Sequence, residues 1–457
     1  MTASRSRPSA RRRSRSSPGR RARRRVASPG ASSAPRPRQA RLPRPGRPLR
    51  PDPAPLRADR CGEIDVDLGD IVGVAGKPAR TRRGEPSLAV EQFELLAKIQ
   101  RSLPDVYHGV TDTETRYRKR YLDLAVNDET RDDFVLRSRM VSAIRRWLDE
   151  RGFVEVETPV LQPRYGGAFA RPFVTHHNEL GADLYLRIAT ELYLKRCIVG
   201  GLEKVYELGK DFRNEGISYK HQPEFTMLEW YEAYVDYRDT MERIEELVEH
   251  VAREVLGRTE IEFRGHRVDL RAPWRRLRLP DALAAEDLWL RDEAELRGAL
   301  VERGIDVARD HTWAQLVDHA LSAFVEPRLI EPTILHDYPV ELSPFARTTD
   351  DDPTLVERFE YYVCGMELGN AFTEINDATE QASRFAMQQA EREAGDALAE
   401  EGDPDFVEAL SYGMPPTGGI GLGIDRLAML LTGRETIRDV VLFPALRQSG
   451  ADQQHPQ

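Results

Sequence analysis

The chain has 457 residues, with 67 basic and 76 acidic side chains and a formal net charge of −9, which by length leaves room for two to four domains. No run of eighteen apolar residues occurs, so a membrane-spanning helix is excluded. Three cysteines, Cys61, Cys197 and Cys364, stand far apart without CxxC spacing; that excludes a disulfide framework and a cysteine zinc site, and points to a reducing, cytoplasmic compartment.

Taken in order, the chain opens on an asymmetry of charge. Residues 1–60 hold 19 arginines and only two acids, Asp52 and Asp59, for +17, so the other 397 residues carry −26. Built from Arg, Pro, Ser and Ala, this tract cannot bury enough surface to fold alone and is expected to be disordered. Three origins compete: a nucleic-acid arm, a transit peptide, or a GC-rich gene read in the wrong frame, which the next segment favours. Residues 61–105 change texture, with alternating strands around Ile71, Val72 and Val74 and around Leu88, Val90 and Phe93. Residues 106–130 read as a charged connector.

A helix is expected from Arg131 to Glu150, because Phe134, Val141, Ile144 and Leu148 fall on one stripe and Gly152 can end it. In FVEVETP, Val154 and Val156 then alternate with Glu155 and Glu157 until Pro159 stops the strand. Gly166 and Gly167 allow a ligand to approach the backbone. Leu184, Leu186 and Ile188 alternate as a strand, with Glu191 at a helix start beyond them. The stretch Asp211–Tyr234 reads as strand, polar loop, strand. On its return Phe225, Met227, Glu229, Tyr231 and Ala233 share one face; Thr226, Leu228, Trp230 and Tyr234 take the other. Glu229 among aromatics must be solvated, paired, or waiting for a cation. Residues 240–340 read as helices and polar loops, with Trp274, Trp289 and Trp313 as packing anchors. A Gly-rich run, TGGIGLGIDR (Thr417–Arg426), precedes a buried helix carrying Leu427, Leu430 and Leu431.

FRNEG, His221 and PEFTMLE with its Tyr-rich strand resemble motif 2 of the class II aminoacyl-tRNA synthetases, with wording closest to the lysyl branch. The helix–strand–Pro unit resembles motif 1, and GIDR followed by IRDVVLFP resembles motif 3. RYRKRYLDL and YPVELSPFAR fit the same branch. The resemblance spans about 64–447 and implies an α+β fold: an antiparallel sheet flanked by helices over 106–448, preceded by a remnant of an anticodon-binding OB-fold at 61–105. The first strands of that barrel are replaced by the Arg-rich tract, as in a faulty gene start; residues 449–457 are expected to be a disordered tail.

The resemblance also implies activity, partners and site residues. The activity is ATP-dependent lysine–tRNA ligation, with ATP, L-lysine and tRNA(Lys) as substrates, Mg2+ as cofactor and a homodimer as the assembly. Arg213 and Arg426 are the catalytic arginines, and Arg213, Glu215, His221, Phe225, Glu360 and Arg426 meet ATP. Gly167, Glu191, Glu229, Tyr231, Asn370, Phe372 and Glu374 are assigned to lysine; Glu360 and Glu367 are assigned to the metal. Two rivals remain: a synthetase-like lysyltransferase acting on a protein, and a catalytically dead nucleic-acid-binding relative.

Overall fold

The computed structural model describes residues 65–81, 84, 86–104, 109–393 and 402–447. The expectations for 1–60 and 449–457 lie outside the described residues. Two compact units are distinguished, and in their described parts these are residues 65–101 and 102–447.

The first unit is an antiparallel ribbon of β1 (Ile71–Arg80) and β2 (Pro86–Ala97), with register shifts at Ile71/Val72 and Ala75/Gly76. Both strands expected there are present. Among the described residues they pair only with each other.

The second unit begins with α1 (Thr113–Arg118) and α2 (Arg120–Val126), so the stretch read as a connector is largely helical. Arg120 explains why: its side chain is fully buried, pairing with Asp123 at 2.5 Å and donating to the carbonyls of Arg438 at 2.6 Å and Leu442 at 3.0 Å. A buried guanidinium needs such acceptors. Next comes α3 (Asp128–Glu150), three residues longer at its start than the stripe indicated. Then β3 (Val154–Glu155) pairs in parallel with the later strand Lys204–Phe212, and is shorter than the alternation promised. Beyond it, Thr158 gives its amide and hydroxyl to the Glu207 carboxylate at 3.0 and 2.7 Å, so side-chain bonding takes over from the ladder.

A small sheet of β4 (Leu161–Gln162), β5 (Val174–His177) and β6 (Ala182–Leu186) follows, then α4 (Glu191–Val199). The motif 2 hairpin is β7 (Lys204–Phe212) and β8 (Glu224–Ala233). Tyr234 lies past the strand, at φ 66° and exposed, so it does not share the face expected for it, whose last strand position is buried Glu232. After α5 (Tyr237–Leu256) come β9 (Glu260–Phe263), β10 (His266–Asp269) and β11 (Arg275–Arg278), which the reading of 240–340 as helices and loops missed. Their four-residue length leaves little period to detect. A helical insertion carries α6 (Leu279–Ala284), α7 (Glu293–Glu302) and α8 (Trp313–Ala320). Trp289 and Trp313 meet edge to face there, while buried Trp274 packs on Tyr361.

The chain then adds β12 (Thr333–Pro339), β13 (Leu355–Val363), β14 (Met366–Thr373), α9 (Ala378–Glu393), α10 (Pro404–Ser411), β15 (Thr417–Gly423), α11 (Ile424–Thr432) and α12 (Ile437–Val440). The main sheet has eight strands in the order β11-β12-β13-β14-β15-β8-β7-β3. Its six inner strands are antiparallel, and each edge strand is parallel to its neighbour.

One face of this sheet buries Leu228, Trp230, Phe359 and Leu422 against α3, α5 and α11. Trp230 packs within 6.4 Å of both Trp147 and Phe153. Because side chains alternate along a strand, Glu229 and Tyr231 of β8 are left for the opposite face. There the sheet forms a cleft.

Candidate active site

The cleft encloses about 510 Å³. Its floor is made by β8, β13, β14 and β15, and its central strand is the run TGGIGLG, paired with β8 along its whole length and with β14 from Gly418 to Leu422. Glycine is required here by contact. A Cβ on Gly419 would come 1.9 Å from Glu374 Oε1 and 2.5 Å from the Tyr231 ring; one on Gly369 would come 1.9 Å from the Gly421 carbonyl. Bare backbone in the middle of the sheet gives the bulky side chains of β8 and β14 somewhere to lie.

Nearly all the residues singled out from the sequence line this one cleft: Gly167, Glu191, Arg213, Glu215, His221, Phe225, Glu229, Tyr231, Glu360, Glu367, Asn370, Phe372 and Arg426. Gly166 is not among them, and neither is Glu374. It sits just beyond β14, buried behind the wall.

The ionisable groups fall into two neighbourhoods. In the first, arginines answer the acids. Glu360 accepts from Arg358 Nη2 at 2.7 Å and from the Tyr362 hydroxyl. Burial pushes its pKa up to about 7, with Arg358 opposing and the Glu367 charge adding to the rise. Glu367 is bonded to Arg426 Nη1 at 2.9 Å; burial works against its charge, but Arg426 prevails and its pKa is lowered. Arg426 Nη2 also lies 3.2 Å from His221 Nε2. His221 is exposed by area, yet desolvation against the cleft wall, then the Arg426 and Lys220 cations, push its pKa down to about 4. A neutral imidazole can accept from Arg426. The Arg213 guanidinium lies 5.0 Å from the centre of the Phe225 ring, and its Nε is a buried donor without a hydrogen-bond partner among the described residues. Such a donor calls for an anion.

The second neighbourhood has an acid left over. Glu229 accepts from the Thr190 amide at 3.2 Å and the Tyr231 hydroxyl at 3.3 Å, and among the described residues no cation pairs with it. Burial, then the charges of Asp211 and Glu191, push its pKa up to about 8. Beside it, Lys195 is fully buried. Its Nζ lies 2.6 Å from Glu191 Oε1 and pairs also with Glu374, within 5.8 Å of the Phe345, Phe372 and Phe406 ring centres. The two carboxylates hold this ammonium protonated against the cost of burial. The partner of Glu374 is thus this lysine.

Sequence reasoning missed Lys195 and Arg358. Lys195 stands four residues after Glu191, an ion-pair spacing on a helix, and Arg358 stands two before Glu360 on the same strand face. Both signals were available. Asp318, reaching the cleft from α8, left none.

Among the described residues no cluster of three or more His, Cys, Asp and Glu is arranged to hold a metal by itself. Glu360 and Glu367 nevertheless offer hard oxygen donors on adjacent strands beside the cleft cations. Two carboxylates completed by substrate phosphates are a usual Mg2+ set, so the donors present fit that ion.

The family described as tRNA synthetases class II (D, K and N) matches residues 112–447. The chain belongs to that family. Among relatives of this class II synthetase, the lysine–tRNA ligase of Halalkalibacterium halodurans is 53% identical over 403 residues, covering 86% of this chain and 80% of that protein. The lysine–tRNA ligase of Roseiflexus sp. is 53% identical over 387 residues, covering 84% and 79%. That of Bacillus subtilis is 51% identical over 386 residues, covering 84% and 77%.

Proposed function

We propose that this class II synthetase is an ATP-dependent lysine–tRNA ligase, and that the residues gathered in the cleft divide between its two small substrates. The observation that carries the lysine reading is Glu229, a buried carboxylate with hydrogen bonds but, among the described residues, no cation. A substrate ammonium supplies the missing charge, with Tyr231, Phe372 and Asn370 along its stem. An aspartyl or asparaginyl enzyme needs a cationic or amide reader at that place instead. The relatives named as lysine–tRNA ligases support the same choice, and no feature of the cleft favours a protein acceptor or a catalytically dead relative.

In the proposed reaction a carboxylate oxygen of lysine attacks the α-phosphorus of ATP in line. The bond to the bridging oxygen of pyrophosphate breaks, giving lysyl-adenylate. The terminal ribose hydroxyl of tRNA(Lys) then attacks the lysyl carbonyl and releases AMP. Arg213 spans the lysine carboxylate and α-phosphate oxygens, as its free Nε permits. Phe225 and Arg426 take the two faces of adenine, with Glu215 and His221 in the loop beside it. Catalysis is then positioning and charge stabilisation, with no protein nucleophile. Glu360 and Glu367 would hold Mg2+, which neutralises phosphate charge when bound with ATP.

The motif 1 resemblance supports a homodimer, and exposed Val154, Val160 and Leu161 are apolar residues such an interface would cover. Among the described residues no helix is long and apolar enough to cross a membrane, and the separated cysteines support a cytoplasmic site of action. The deciding experiment is ATP–pyrophosphate exchange with lysine, aspartate and asparagine in parallel, followed by charging of tRNA(Lys). Exchange confined to lysine, with charging, supports the reading. Exchange with aspartate or asparagine overturns it.

A further inference from the structure

Arg137 occupies a position where a cation is costly. It falls on the buried stripe of α3, three residues after Phe134 and three before fully buried Met140. A charge on a core-facing stripe must find a partner there. The partners belong to two other motifs. Arg137 Nη1 lies 2.6 Å from Asp425 Oδ1, at the start of α11, and Nη2 donates to Thr226 Oγ1 of β8 at 3.1 Å. Asp425 and Thr226 are also joined directly, because Asp425 Oδ2 accepts from the Thr226 amide at 2.8 Å.

The place of this triangle in the sheet gives it meaning. The ladder between β15 and β8 runs out at Gly423 opposite Met227, where the chain turns into α11. The next amide along β8, that of Thr226, therefore takes a side chain in place of backbone. Thr226 adjoins Phe225 and Asp425 adjoins Arg426, so the two walls read above as facing adenine are carried by residues that share one guanidinium. Asp425 and Thr226 are almost wholly buried, which strengthens these bonds relative to the same bonds in water.

We infer that Arg137 is a positioning residue for ATP: by tying Thr226 to Asp425 it sets the gap between Phe225 and Arg426 that receives the adenine ring. The inference rests on the adenine reading of those two side chains. Glu229 and Lys195 make none of these contacts, so the lysine end of the cleft does not depend on the tie.

The test is ATP–pyrophosphate exchange on the full chain carrying Arg137→Met, Arg137→Lys, Asp425→Asn or Phe225→Ala, with KM measured separately for ATP and lysine. Arg137→Met is expected to raise KM for ATP about tenfold or more, the scale of a lost charged hydrogen bond, while KM for lysine moves less than about twofold. Arg137→Lys keeps the charge but loses the fork and is expected to fall between wild type and Arg137→Met. Asp425→Asn keeps an acceptor for Thr226 and tests the ion pair even if Arg137→Met fails to fold. Equal rises in both KM values, or an unchanged KM for ATP in Arg137→Met and Asp425→Asn, overturn the inference. Phe225→Ala separates the two readings: if it leaves KM for ATP unchanged, the adenine assignment fails; if it raises KM for ATP while the Arg137 and Asp425 variants do not, only the role of Arg137 fails.

Discussion

The two ends of the cleft handle their acids in opposite ways. At the phosphate end Glu360 and Glu367 are each met by an arginine, Arg358 and Arg426. At the amino-acid end Glu191 and Glu374 share Lys195, while Glu229 has only hydrogen-bond donors. Glu360 and Glu367 are half-buried, and Glu191, Glu229 and Glu374 are buried, so carboxylates are drawn out of water at both ends. The difference lies in which charge has been left without its opposite. An enzyme that must bind a polyanion at one end and a cation at the other keeps spare donors at the first, as with Arg213 Nε, and a spare acceptor at the second.

The largest expected effect follows from removing that spare acceptor. Glu229→Gln is nearly isosteric and should cut lysine-dependent exchange by orders of magnitude, with KM for ATP little changed; near-normal exchange would sink the lysine assignment. Lys195→Met attacks the pair beside it. Removing one partner of a buried ion pair leaves an uncompensated charge and costs about 3–5 kcal/mol, so denaturant unfolding should show a loss of that size. A loss below about 1 kcal/mol would mean that Glu191 and Glu374 do not need the ammonium. Gly419→Ala pushes a methyl group into Glu374 and Tyr231 and should cost about 1–3 kcal/mol by overpacking. Its signature is a raised KM for lysine, and an unaltered pocket in that variant would show that the wall can yield.

The gentlest test uses pH. The Glu229 pKa is raised to about 8, so below that pH the carboxyl holds a proton that lysine must displace. KM for lysine should therefore fall as pH rises toward 8, by up to about tenfold per unit, and level off above it. Calorimetry in buffers of different ionisation heat should register proton release near pH 7. A flat profile between pH 6.5 and 8.5 contradicts the raised pKa.

Much of the site could be read from the sequence because its residues sit on strands. Glu229 and Tyr231, or Asn370 and Phe372, declare a common face through their spacing of two. The helix stripe of α3 was equally plain in Ile144 and Leu148. What stayed hidden depended on contacts between distant segments. Arg120 looks like one cation among several in RYRKRYLDL, and only the carbonyls of Arg438 and Leu442 make it a core residue. Glycine spacing in TGGIGLG says that backbone is bare, but its place as the central strand depends on β8 and β14 closing over it. Lys195 was overlooked for a different reason: a lysine four residues from a glutamate is ordinarily a surface pair, and burial turned it into part of the pocket.

Arg120 has a consequence for the order in which the protein is made. Its carbonyl acceptors lie 318 to 322 residues downstream, so while the chain emerges from the ribosome the guanidinium has only Asp123 to satisfy it. The helices at the front of the catalytic unit cannot reach their final packing until the segment around Arg438–Leu442 has been synthesised. A premature stop anywhere before that point leaves a cation facing an empty socket.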